Sequence, residues 1–136
     1  MPPLHSFLVH FPIALLFMAW GCDLIAVLGK RPEFSRAAWL NQIAGTLGVI
    51  GAVGSGLWAK GMLGAGLPPE ADVALHEQLA FAASAAALVL LFWRIARRGS
   101  IPPGEQCSFL LLFTLAVALI AVTGYFGGML VVHPGG

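Results

Sequence analysis

Apolar positions along this chain fall into four long, nearly unbroken blocks, separated by short polar or Gly/Pro-rich breaks. The first runs roughly over residues 6–28 and stops at Gly29-Lys30-Arg31-Pro32. The second covers about 37–58 and gives way to the stretch Gly61 to Pro69. The third, about 73–96, ends at the basic cluster Arg94, Arg97, Arg98 and at Pro102-Pro103. The fourth, about 108–132, runs into His133-Pro134. Each block has about 20 residues or slightly more, enough to cross a hydrocarbon core of ~30 Å as a helix. Membrane strands would alternate apolar and polar positions, and these blocks do not. The pattern predicts an all-α, integral membrane four-helix bundle forming one domain over residues 1–136.

Composition strengthens that reading. The chain is 59% hydrophobic and only 10% charged, with mean hydropathy +0.89. An average soluble domain carries about 25% charged residues, so this chain lacks the polar surface to face water all round. Its surroundings are expected to be the lipid bilayer. The formal net charge is +1, and no basic run interleaved with aromatics occurs, so nucleic acid is not an expected partner. No Lys or Arg precedes the first apolar block, so no cleavable targeting segment is expected. Cys22 and Cys107 show no metal-ligand spacing and read as small apolar side chains in packing positions.

Basic residues set the expected direction. The first connection carries Lys30, Arg31 and Arg36, and the third carries Arg94, Arg97 and Arg98. The second has only Lys60. Six against one places the first and third connections in the cytoplasm. Both termini are then extracytoplasmic (N-out and C-out), in a bacterial inner membrane.

All four histidines, His5, His10, His76 and His133, then fall at the extracytoplasmic end. Ionisable side chains in membrane segments are rare and usually functional. One interfacial histidine is more often an anchor, but four at one depth read as a ligand set. His10 and His76 lie slightly deeper and form the preferred axial pair for a b-type haem; His5 and His133 would serve a second haem or a separate metal site. Pro12 is expected in the first turn of helix one, with residues 5–11 as an approach segment. Helix two is rich in small residues, from Gly45 to Gly56. Close helix packing is the commoner reason for such a run, while Gly54, on the histidine side, would also leave room for a planar ring. Lys60 suits the interface and a haem propionate. Asp23, about 20 Å beyond His10 along the helix, is expected to cap or pair with Arg36 or with a residue of helix three, a proton pathway being the alternative. Asn41, Gln42 and Thr46 are expected to make interhelical hydrogen bonds.

Three stretches also carry a family resemblance: Leu4-His5-x-x-x-Val9-His10-Phe11-Pro12-Ile13-Ala14-Leu15, the histidine opening the third helix, and Gly127-Gly128-Met129-Leu130-Val131-Val132-His133. Over essentially its whole length the chain resembles the bacterial four-span membrane family called domain of unknown function 2231. The resemblance implies four spans, with His5, His10, His76 and His133 as the family's histidines. Some members resemble fusions to a Rieske-type iron–sulfur domain, which implies electron transfer by analogy. Ser6 stands where the family usually has proline.

These features together predict a b-type haem protein of the electron-transfer class, with one haem or two. A quinol, a periplasmic cytochrome or a Rieske-type iron–sulfur protein would be its partner, and homo-oligomerisation stays open. Bis-histidine ligation closes the iron to oxygen and favours electron transfer. A copper or zinc protein of transport, sensing or oxidase assembly is the alternative, since imidazole suits those ions as well. A structural subunit without cofactor is the second alternative. Nothing resembles a hydrolytic triad or a phosphate loop.

Overall fold

The computed structural model describes residues 3–63 and 70–132. Four helices account for nearly all of them: α1 (Pro3–Val27), α2 (Phe34–Leu63), α3 (Glu70–Ala96) and α4 (Gln106–Val132). All four are long and apolar enough to cross a membrane, and the described residues contain no strand. The expected blocks match these helices, although α2 continues past Trp58 through Gly61 to Leu63. The rest of the expected Gly/Pro-rich connection, residues 64–69, lies outside the described residues.

Each helix packs against the next, and α4 closes back on α1, with no close backbone approach across either diagonal. Two features of α2 explain why α1–α2 is the closest of these contacts. A Cβ at Gly45 would fall 2.8 Å from Leu16 Cγ, and one at Gly48 would fall 2.9 Å from Pro12 Cβ. Hydrogen at those two positions lets α1 approach the α2 backbone. Gly51 and Gly54, by contrast, are exposed, and a Cβ at either would meet nothing within 4 Å. The packing explanation therefore holds for Gly45 and Gly48. Gly54 does not line a gap between helices.

Pro12 corrects a second expectation. It sits inside α1, nine residues from Pro3, the first residue of the helix. The helix therefore begins before His5, and residues 5–11 are not a separate approach segment. Proline leaves the carbonyl four residues earlier without its helical donor, while its buried ring gains the packing against Gly48.

The interior is narrow and built of small residues and rings. Ala19, Leu90, Phe109, Phe113, Ala116 and Val117 form one buried cluster, and Leu16, Ala83, Ala87 and Ile120 form another. Phe109 meets Trp93 and Phe113 edge-to-face, with ring centroids 5.6 and 5.8 Å apart. Large apolar side chains such as Met18, Leu47, Val89, Phe92 and Leu115 point outward instead. In water such a surface would aggregate; in a bilayer it is the surface the lipid requires.

Two helices end alike at one end of the bundle. Lys30 and Arg98 adopt positive φ (53° and 57°). Arg31 N–H then bonds Ala26 O (3.1 Å), and Gly99 N–H bonds Arg94 O (2.8 Å), satisfying carbonyls that α1 and α3 leave over. Gly99 also has positive φ (87°), and a Cβ there would come within 3.1 Å of Trp39 Nε1. The α3–α4 connection is clasped by Glu105. It accepts from Trp93 Nε1 (2.7 Å) and Arg97 Nε (2.9 Å), and a second Arg97 nitrogen lies 2.5 Å from its other oxygen. Those donors hold the Glu105 carboxyl below the usual carboxylate range, Trp93 contributing most.

Candidate functional site

At the end of the bundle opposite those connections, His76 lies in the second turn of α3 and is half-buried. Its ring packs against the backbone of α4: a Cβ at Gly127 would fall 2.8 Å from His76 Cε1 and 3.4 Å from Nδ1. Glycine at 127 gives the imidazole its space. The ring also interacts with the backbone of Thr123, one turn away on α4. His76 Nδ1 is buried and has no hydrogen-bond partner. A buried polar atom left unpaired costs about 1–3 kcal/mol, and an imidazole nitrogen in that state is a free donor for a metal ion.

His10 is exposed on α1. Its level follows from the register of α1 on α4. A Cβ at Gly124 would lie 3.6 Å from Ile13 Cδ1, and the two helices run in opposite directions. Three residues back along α1 and three forward along α4 reach His10 and Gly127. The two central histidines thus share a level, His76 against Gly127 and His10 exposed on α1. Between α2 and α3 at this end, Lys60 Nζ donates to Glu77 Oε2 (2.5 Å). Lys60 is therefore engaged by a carboxylate one residue from His76. The backbone of His5 belongs to α1, one and a half turns beyond His10; His133 lies outside the described residues. Among the described residues, no three His, Cys, Asp or Glu side chains gather into a metal-holding group.

A second polar cluster occupies the interior near the other end, and it corrects the reading of Arg94. This residue is no loop cation: it belongs to the last turn of α3 and is 2% exposed. Arg94 Nη2 donates to Asp23 Oδ1 of α1, and Nη1 donates to Gln42 Oε1 of α2 (2.7 Å). Its guanidinium also lies 4.9 Å from the Phe109 ring centroid on α4. One side chain thus ties together all four helices. Asp23 pairs with helix three, as one expected alternative had it, and not with Arg36. Gln42 makes the expected interhelical bond. Asn41 bonds the Ala37 carbonyl of its own helix, and buried Thr46 Oγ1 has no partner. Cys22 is buried as expected, whereas Cys107 is exposed. The sequence did carry a signal for this cluster: Asp23 and Arg94 are opposite charges inside apolar blocks, near the same end.

The ion pair adjoins a cavity of about 190 Å³. Asp23, Arg94, Ser35, Ser100 and Gln106 supply its polar wall, and Ile101, Phe109 and Leu110 much of the rest. Asp23 Oδ2, Arg94 Nε and Gln42 Nε2 are buried without partners.

The family described as predicted membrane protein (DUF2231) matches residues 1–136. The chain belongs to this family. No curated protein and no solved structure matches the chain. As a DUF2231 member with four membrane-length apolar helices, it is a multi-pass membrane protein whose lipid-facing surface is the belt of exposed apolar side chains described above.

Proposed function

We propose that this chain is a membrane redox protein that holds a b-type haem at its histidine end, with His76 and His10 as axial ligands. The observation that carries the reading is His76 Nδ1, buried and unpartnered on a ring seated in a gap that Gly127 leaves. An interaction from the Thr123 backbone orients that ring, as carbonyls commonly orient ligating histidines. His10 stands at the same level on α1. When bound, the haem would supply one-electron chemistry. The chain's own part is to hold the imidazoles, keep water from the buried side of the site and place the Lys60–Glu77 pair beside it.

The histidine end is assigned to the extracytoplasmic face of a bacterial inner membrane. Exposed Lys30, Arg31, Arg36, Arg97 and Arg98 gather at the opposite end, against Lys60 here. Removing Arg94 from the count changes six to five and leaves the direction unchanged. A quinol, a periplasmic cytochrome or a Rieske-type protein is the class of partner that such a site would serve. A copper or zinc ion is the second reading. It is favoured by the tight seat of the His76 ring against α4 and by the carboxylate at Glu77, which suit a small ion.

Visible absorption of the purified full chain separates the two. A Soret band that sharpens on reduction, lost in both His76→Ala and His10→Ala, is the expected result. Normal occupancy in both variants would reject the pairing. Stoichiometric copper or zinc without haem would establish the second reading, and purified protein without any of the three would leave a structural subunit.

A further inference from the structure

The Arg94–Asp23–Gln42 cluster lies at the end of the bundle away from the histidines, and its inference is independent of what they bind. We propose that Asp23 is a proton-exchange site, reached by water through the cavity between the first and third connections.

Three observations meet there. The carboxylate is 3% exposed inside an apolar helix, an expensive placement, yet only Oδ1 is engaged, by Arg94, and Oδ2 has no partner. The adjoining cavity is polar-walled and, at about 190 Å³, holds several waters. The unpartnered atoms also continue inward: Arg94 Nε and Gln42 Nε2 lie in the cluster, and Thr46 Oγ1 lies one turn deeper on α2. Arg94 of α3 is the charged group facing Asp23, with the Cys22 thiol its neighbour on α1. From α2 and α4 come Ser35, Gln42, Gln106 and Phe109, none of them charged.

A proton delivered by water adds to Oδ2 and yields a neutral carboxyl, while Oδ1 still accepts from Arg94. The pair passes from zero net charge to plus one. Gln42 Oε1 and the Phe109 ring face remain to stabilise the guanidinium. Protonation thus removes the countercharge of Arg94, the one side chain that touches all four helices.

The test is infrared spectroscopy of the full chain in lipid nanodiscs, with aspartate carbon-13 labelled at the side-chain carboxyl. Only Asp23 and Asp72 carry that label, and Asp72→Asn removes the second. The expected result is a protonated-carboxyl band that grows reversibly on acidification and shifts promptly in deuterium oxide. Asp23→Asn should abolish it. Ser35→Phe, which puts a ring into the cavity from its lining and spares the ion pair, should slow the isotope shift at least tenfold. A band that never appears while the protein stays folded would overturn the proposal, leaving a structural ion pair. A band that appears but does not exchange, or exchanges equally fast in Ser35→Phe, would overturn the water route.

Discussion

Single atoms distinguish the two polar regions of this bundle. At one end a lone imidazole nitrogen lacks a partner; near the other, an arginine binds a carboxylate and an amide across helices while its Nε stays unpartnered. Burying two charges is costly, and an ion pair repays that cost only when the geometry is good. Arg94 meets the condition with Asp23, Gln42 and the Phe109 face together. Breaking such a pair by removing one member costs about 3–5 kcal/mol, whereas replacing both can be nearly neutral. Arg94→Leu should therefore destabilise the bundle by about that amount, and Arg94→Leu with Asp23→Leu by distinctly less. Unfolding in mixed micelles measures both, and a double variant as unstable as the single would mean that Asp23 carries no charge needing compensation. His76 and His10 stood out in the chain because their residue type is rare in apolar blocks. The role of Arg94 did not, because a cation three residues before Arg97 looks like part of a basic loop. Only the helix phase, which turns it inward, separates it from Arg97.

The helices themselves were legible nearly end to end, because a continuously apolar run of membrane length has one stable outcome in lipid. Their rotation was not, since an all-round apolar helix has no polar face to mark the outside. The glycines of α2 illustrate this. Gly45, Gly48, Gly51 and Gly54 repeat every three residues, about 300° apart in phase, so the row winds off one face. The structure puts the first two against α1 and leaves the last two outside. Pro12 escaped for a related reason: its missing N–H reads as a break, but the ring fits against Gly48 and the helix continues. Gly48→Leu should therefore force α1 and α2 apart, a strain of about 1–3 kcal/mol or more, while Gly54→Leu should change stability little. Thermal unfolding of the two variants in detergent makes the comparison, and equal losses would mean that the exposed face of α2 has a partner of its own.

For the molecule as a whole, function depends on which end faces which compartment. The two ends differ in charge as well as in chemistry. Lys30, Arg31, Arg36, Arg97 and Arg98 are all exposed at the end carrying the first and third connections. Lys60, at the other end, is neutralised by Glu77. Basic segments are retained on the cytoplasmic side, where anionic lipid also attracts them. This orientation would open the Asp23 cavity to the cytoplasm and the histidine level to the opposite face. Electrons and protons would then meet the protein on different sides of the membrane. The order can be read with single cysteines. Cys22 is buried, and Cys107→Ser removes the exposed thiol. In that background Glu33→Cys marks the first connection and Met62→Cys marks the end of α2. A membrane-impermeant maleimide should label Met62→Cys in intact cells and Glu33→Cys only in inverted vesicles. Labelling of Glu33→Cys in intact cells would reverse the bundle, putting the histidines in the cytoplasm and the mouth of the Asp23 cavity outside.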